Sequence, residues 1–370
     1  MKKRAIPSEG DADGRRGPEV TSTARPAQVR PKRATMVDVA EAAGVSVQTV
    51  SNVVNGRSQR TSRETEQRIR ALLEELNFSP NSVARGLRAS RTHTIAFLVS
   101  DAAPHFLADP MTDQFLAGLG DEVRERSHGL LISAARPGAG FESLVQPLIE
   151  GRADGGIVSL SGNRALRHAC VERLRGLSPP YVLLQEHGVL PQDAPAICAE
   201  DRDGSRTLCQ HLIGRGHVRI GFLTGAHSWS AIEERIDGYR EAHTEAGLDV
   251  DEHLIVRAGE FMPLEAAVAA ADLLDRFSRP TAVMCANDLV ALGVAKAARD
   301  RGLTVPSDLA ITGFNNFDFA QAVDPPLTTA RIPGYDMGRY AAATLIEAVE
   351  SGRVVEGRRF ATEVFLRASA

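Results

Sequence analysis

The sequence predicts an α/β protein: a small helical unit at its head, then a larger part built from parallel sheets in two lobes. Three observations carry this. Two short helical stretches joined by a glycine-containing turn occupy residues 35–55, and a third amphipathic stretch follows them. From Thr94 onward, apolar strand-like runs alternate with helical ones, the pattern of parallel sheets covered by helices on both faces. So many units in one chain suggest two open lobes with a cleft between them, where ligands meet the C-terminal ends of the strands.

Residues 1–33 open with MKKRAIP but lack the apolar run of a signal peptide, and Gly, Pro, Ser, Asp and Arg dominate them. They read as a disordered basic arm, either brushing DNA phosphates or merely solvated. Thr35-Met36-Val37-Asp38 has the form of a capping box, and Gly44 can take the left-handed turn that ends the first helix. Ser46 caps a second helix reaching to about Asn55. Its Val50, Val53 and Val54 share one face, while Gln48, Ser51, Asn52 and Asn55 share the other. Ser62 caps the third, whose Ile69, Leu72, Leu73 and Leu76 form a stripe; Asn77 and Pro80 close it.

Two short helices joined by such a turn form a helix-turn-helix. An outer face of amides and hydroxyls matches the donors, acceptors and methyls that base pairs expose in the major groove. No acidic residue occurs from Ala42 to Ser62, while Arg57, Arg60 and Arg63 follow the second helix, placed for phosphates. On spacing alone, a helical cap with a solvated polar face remains the other reading. The bulk properties accommodate either: 370 residues, 43% hydrophobic and 24% charged, with a formal net charge of −4, exclude a uniformly basic protein but not a local basic face. Cys170, Cys198, Cys209 and Cys285 lie far apart without metal-ligand spacing, which reads as reduced thiols, no metal site and a cytoplasmic setting. No apolar run is long enough to span a membrane.

The strings "TMVDVAEAAGVSVQTVSNVVNG" and "TSRETEQRIRALLEELNFSPNSVARGLRASRTHTIAFLVSD" closely resemble the start of the lactose-repressor and galactose-repressor family of bacterial transcription regulators. The resemblance continues through "GRADGGIV", "HLIGRGHVRIGFLTG", "CANDLVALGVAKAARDRGLTVPSDLAITGF" and "PPLTTARI", leaving only the first thirty-odd residues uncovered. It implies a helix-turn-helix domain at 34–79, a hinge helix and linker at 80–92, and a periplasmic-binding-protein-like core. In that core one lobe comprises 93–193 and 332–353, the other 194–331 and 354–370. It further implies that Val47, Gln48 and Asn52 read bases, that Thr35, Ser46, Thr49, Ser51 and Asn55 meet phosphates, and that Leu87 wedges into the minor groove. Gly86 lowers the helix propensity of that hinge segment, and the competing reading of Leu87 is a plain apolar linker residue.

For the cleft the resemblance implies effector contacts from His105, Phe106, Gln185, Arg235, Phe261, Asn287 and Asn315. Gln185 and Asn315 stand where many members carry carboxylates, and Ile332 stands at a common glutamine position. The expected effector is therefore anionic or amide-bearing rather than a neutral hexose, with a flat or apolar part for Phe106, Trp229 and Phe261. A cleft that has drifted away from ligand binding is the competing explanation. The function expected is a homodimeric, effector-controlled repressor of a palindromic operator at the bacterial nucleoid, with no cofactor. A transport solute-binding protein would call for a signal peptide and no helix-turn-helix. An α/β enzyme would call for a GxSxG, phosphate-loop or metal-spaced histidine motif, and none is present.

Overall fold

The computed structural model describes residues 34–54, 61–76, 78, 91–101, 107, 109–136, 140–188, 194–259 and 261–370. The chain divides into two compact units, one ending at Asn81 and the other beginning at Ser82.

The first unit holds helices α1 (Met36–Ala43), α2 (Val47–Val54) and α3 (Arg63–Glu75). Local chemistry sets their ends. The Asp38 N–H donates to Thr35 Oγ1 at 3.3 Å and the Thr35 N–H to Asp38 Oδ2 at 2.6 Å, completing the capping box. Gly44 ends α1 at φ 63°, and the Ser46 hydroxyl accepts from the Thr49 N–H at 3.1 Å to start α2. Val39, Ala40, Ala43, Val50, Val53 and Ile69 close the core. Two expectations change here. Ser51 is buried beside the valines rather than outward, because it lies between the valine face and the polar face of the helix. Leu76 is exposed, since it caps the end of α3 beyond the reach of the core.

In the second unit the strands and helices alternate: β1 (Thr94–Ser100), α4 (Pro110–Glu125), β2 (Gly129–Ala135), α5 (Phe141–Ile149), β3 (Gly155–Leu160), α6 (Arg164–Arg175), β4 (Tyr181–Leu184) and β5 (Ala196–Ala199). Then follow α7 (Asp201–Gly214), β6 (Ile220–Gly225), α8 (Ser230–Glu245), β7 (Ile255–Ala258), α9 (Pro263–Leu274), β8 (Ala282–Cys285), α10 (Asp288–Asp300) and β9 (Ala310–Thr312). The chain closes with β10 (Thr329–Arg331), α11 (Gly334–Ser351), β11 (Arg358–Phe360) and β12 (Glu363–Phe365). One parallel sheet runs β11-β5-β4-β3-β1-β2 and a second runs β7-β6-β8-β9, while β10 and β12 pair antiparallel.

Sheet membership corrects the expected lobe boundaries near 193 and 354. β5 pairs with β4, and β11 pairs with β5, so both belong to the first lobe. The first crossing therefore follows β5, at Glu200, and the last follows β11. Apolar composition marks "AICAE" as a strand but not the sheet that it joins, and the three-residue β11 carries no apolar signal, so both memberships are decided by the partner across the sheet.

Helices α4 and α11 pack closely through glycine. A Cβ at Gly118 would collide with the carbonyl of Tyr335, and one at Gly338 with that of Phe115, whereas one at Gly120 would meet nothing. Gly118→Ala should cost about 1–3 kcal/mol by overpacking against rigid backbone, and Gly120→Ala should be neutral or slightly stabilising. Thermal denaturation of the two variants checks this; equal melting temperatures would contradict the close crossing.

Candidate nucleic-acid interface and ligand cleft

On the first unit, α2 turns Val47 and Gln48 to solvent, leaves Asn52 half-buried, and buries Val50 and Val53. Gln48 Nε2 donates to Asn52 Oδ1 at 3.1 Å, one turn apart, so the two amides brace each other and leave a carbonyl and an NH2 outward. Ser46 and Thr49 join hydroxyls at 2.8 Å at the helix start, and Thr35 is exposed at the start of α1. Asn55, with Arg57 and Arg60 after it, and Leu87 lie outside the described residues, as do His105 and Phe106.

In the second unit a cavity opens between the lobes. Gln185, Arg235, Phe261, Asn287 and Asn315 all line it, together with Trp229, so the described part of the expected effector set converges on one place. Gln185 and Asn315 follow β4 and β9 with φ of 57° and 95°, a left-handed turn at the C-terminal strand ends where ligands are met in such sheets. Asn287 caps α10. Phe261 packs on Gly225, the last residue of β6, where a Cβ would strike the ring. Ile332 is instead buried in the hydrophobic core.

Arg235 is 4% exposed and almost saturated by protein. Its Nε donates to Asp201 Oδ1 at 2.8 Å, Nη1 to the Ala286 carbonyl, and Nη2 to Asn315 Oδ1 at 3.1 Å, while the Asp201 carboxylate lies 2.8 Å from Nη2. The guanidinium also stacks 3.9 Å from the centre of the Phe314 ring. With five N–H donors available, at most one is left for a ligand.

Beside the cleft, direct bonds join the two lobes. The Gly162 N–H donates to the Ser228 carbonyl at 2.8 Å, and the His187 N–H to Ser230 Oγ at 2.7 Å, which donates back to the His187 carbonyl. Fully buried Arg167 pairs with Glu186 at 3.0 Å and with Glu233 of the other lobe at 2.7 Å. Burial drives the Glu186 carboxyl up to about 7 against the pull of Arg167. Burial disfavours charge on His187 too, but Asp201, 3.2 Å from its Nε2, and Cys198 outweigh it and hold the imidazolium to about 10.

Sequence reasoning missed this network, because its members are brought together only by the fold. It also missed Asp109, the N-cap of α4, which lines the cleft; the Asp-Pro pair at a helix start was the available signal. Its side chain reaches solvent, yet the enclosing walls raise its pKa, opposed by the Met111 N–H and Arg235. The described lining thus keeps a carboxylate that the substitutions at Gln185 and Asn315 did not reveal.

Among the described residues no group of acidic, histidine or cysteine side chains could hold a metal ion, and no helix is long and apolar enough to cross a membrane.

Comparison with known proteins agrees with both units. Residues 35–81 match the description "Bacterial regulatory proteins, lacI family", and residues 209–370 match "Periplasmic binding protein-like domain". The chain is 32% identical over 341 residues to the HTH-type transcriptional repressor CytR of Escherichia coli (strain K12), covering 91% of this chain and 96% of that one. A solved complex of the transcriptional regulator CelR with cellobiose is 30% identical, with a TM-score of 0.68 over 91% of this chain and all (100%) of that one. The lac repressor dimer bound to operator and the anti-inducer ONPF is 26% identical, with a TM-score of 0.79 over 91% of this chain and 99% of that one.

His187 gains a partner on folding, so its contribution to stability is full below the ordinary histidine value of about 6.5 and is lost as pH rises toward about 10. The stability advantage of the wild type over His187→Gln should therefore shrink across that window in chemical denaturation. An advantage independent of pH would show that the imidazole is not charged in the fold.

Proposed function

The chain belongs to the lacI family of bacterial regulatory proteins, and from that premise we propose that it acts as a homodimer on a palindromic operator, under control of a small molecule bound between its lobes. The family supplies the coarser part: a DNA-binding transcriptional repressor with an effector-binding domain, a regulator rather than an enzyme. The observation that carries the finer reading is the outward face of α2, where uncharged Gln48 and Asn52 brace each other above exposed Val47.

Gln48 is the long amide able to pair with adenine, and Asn52 holds it in place. Thr35, Ser46, Thr49 and Asn55 are proposed for phosphates; buried Ser51 is less well placed for that than Thr35, Ser46 and Thr49. Leu87 is proposed as the minor-groove wedge.

One recognition helix reads only a few base pairs, so two-fold symmetry is needed for a specific site. A surface for the second copy is at hand: α9 leaves Leu264 and Val268 exposed one turn apart, with Met262 before them and Phe277 after.

The effector is proposed to be anionic or amide-bearing, on the strength of the amides Gln185 and Asn315 lining the cleft where the family resemblance implies carboxylates, with Arg235 held by Asp201 and Asn315 behind them. The described contact residues are Gln185, Arg235, Phe261, Asn287 and Asn315, with His105 and Phe106 added by family resemblance. A DNA-bound regulator of this kind works in the cytoplasm, at the nucleoid.

Selection from random duplex DNA with the full-length protein should enrich a palindrome, and Gln48→Ala should weaken binding by about 1–3 kcal/mol while relaxing the preference at one base pair per half-site. No enrichment from a folded dimer, with or without a cell metabolite extract, would remove the operator reading. Replacing Leu264 and Val268 together by Arg should yield a folded monomer in sedimentation; an unchanged dimer would place the interface elsewhere.

A further inference from the structure

Resting on the effector reading above, we propose that the cleft selects a planar ligand edged with acceptor oxygens, because the protein locks its amides as donors. Gln185 Oε1 accepts from the Ala199 N–H at 3.0 Å, Asn287 Oδ1 from the Val290 N–H at 2.8 Å, and Asn315 Oδ1 from Arg235 at 3.1 Å. Each partner is an obligate donor, so the orientation of each amide is fixed: carbonyl toward the protein, NH2 left over. All three residues line the cavity.

Among the described residues the cleft therefore offers three amide NH2 groups, and against them stand the Asp109 carboxylate and the hydroxyls of Thr112 and Ser159. A polyhydroxylated ring brings a hydrogen with every oxygen, and each needs an acceptor when desolvated. Asp109 serves few of them. A flat ring with carboxylate or ring-carbonyl oxygens and only one or two O–H or N–H groups fits the complement: oxygens on the amides, the hydrogens on Asp109 and a neighbouring hydroxyl. Its faces then meet Phe97, Phe115, Trp229 and Phe261.

The test exploits Trp229, which is the chain's one tryptophan and lines the cleft. Its fluorescence in the full-length protein is titrated with 4-hydroxybenzoate, uracil, glucose and ribose. Gln185→Glu and Asn287→Asp are made in parallel, since each keeps the internal acceptor and turns only the leftover NH2 into an oxygen. Melting temperatures verify that both variants fold.

The expected result is saturation by 4-hydroxybenzoate or uracil, the first marking an anionic carboxylate and the second a neutral ring carbonyl, with affinity reduced about tenfold or more in each variant. Saturation by glucose or ribose alone, by none of the four, or unchanged affinity in both folded variants would overturn the proposal. Operator binding by the wild type separates the two readings. If DNA binding persists and only a sugar saturates, the repressor reading stands and this one falls; if the wild type binds no DNA, the premise itself fails.

Discussion

A buried guanidinium has to be met by acceptors on every side, and much of the ligand cleft is arranged around that requirement at Arg235. Leaving such a charge short of partners costs several kcal/mol, so the fold brings it a carboxylate, a carbonyl and an amide oxygen. Those come from three places in the chain: Asp201 at the first crossing between lobes, Ala286 at the end of β8, and Asn315 after β9. One side chain thereby fixes where the second lobe begins, how two of its strands end, and which way Asn315 turns. The polarity of the cleft follows from a structural demand behind it. An aspartate at 315 would satisfy the same cation but present an oxygen to the ligand instead of an NH2.

The helix-turn-helix was legible because its signals are local. Thr35 with Asp38, Gly44, Ser46 and Ser62 each act within one helical turn, and the sequence shows them directly. Ser51 was misplaced because it lies on the border between the valine face and the polar face of α2, where a small rotation of the helix decides whether a short side chain is covered. In the larger unit, runs such as Thr94–Ser100 and Gly155–Leu160 are apolar enough to announce themselves as buried strands. The three-residue strands Thr329–Arg331 and Glu363–Phe365 carry no such signal and exist through their antiparallel pairing. The cleft residues were legible by resemblance to a family, whereas the ion pairs around Arg167 and His187 join residues up to 66 positions apart and leave no pattern to read.

The segment Gln185-Glu186-His187 gives the cleft its route to the lobe geometry. Gln185 faces the ligand space, Glu186 holds Arg167, which reaches Glu233 across the cleft, and His187 bonds both Ser230 of the far lobe and Asp201. Three consecutive residues therefore bear on the ligand, on the ion pair between lobes, and on the crossing that also anchors Arg235. A ligand that draws on the Gln185 NH2 acts on a backbone already turned to φ 57°, whose next two residues are tied to the opposite lobe. It can favour one lobe arrangement over another only through its different contacts in each, and this segment is where such a difference is felt. In the dimer proposed above, the sign of the response, release from DNA or tighter binding, is set by which arrangement suits the paired DNA-reading units.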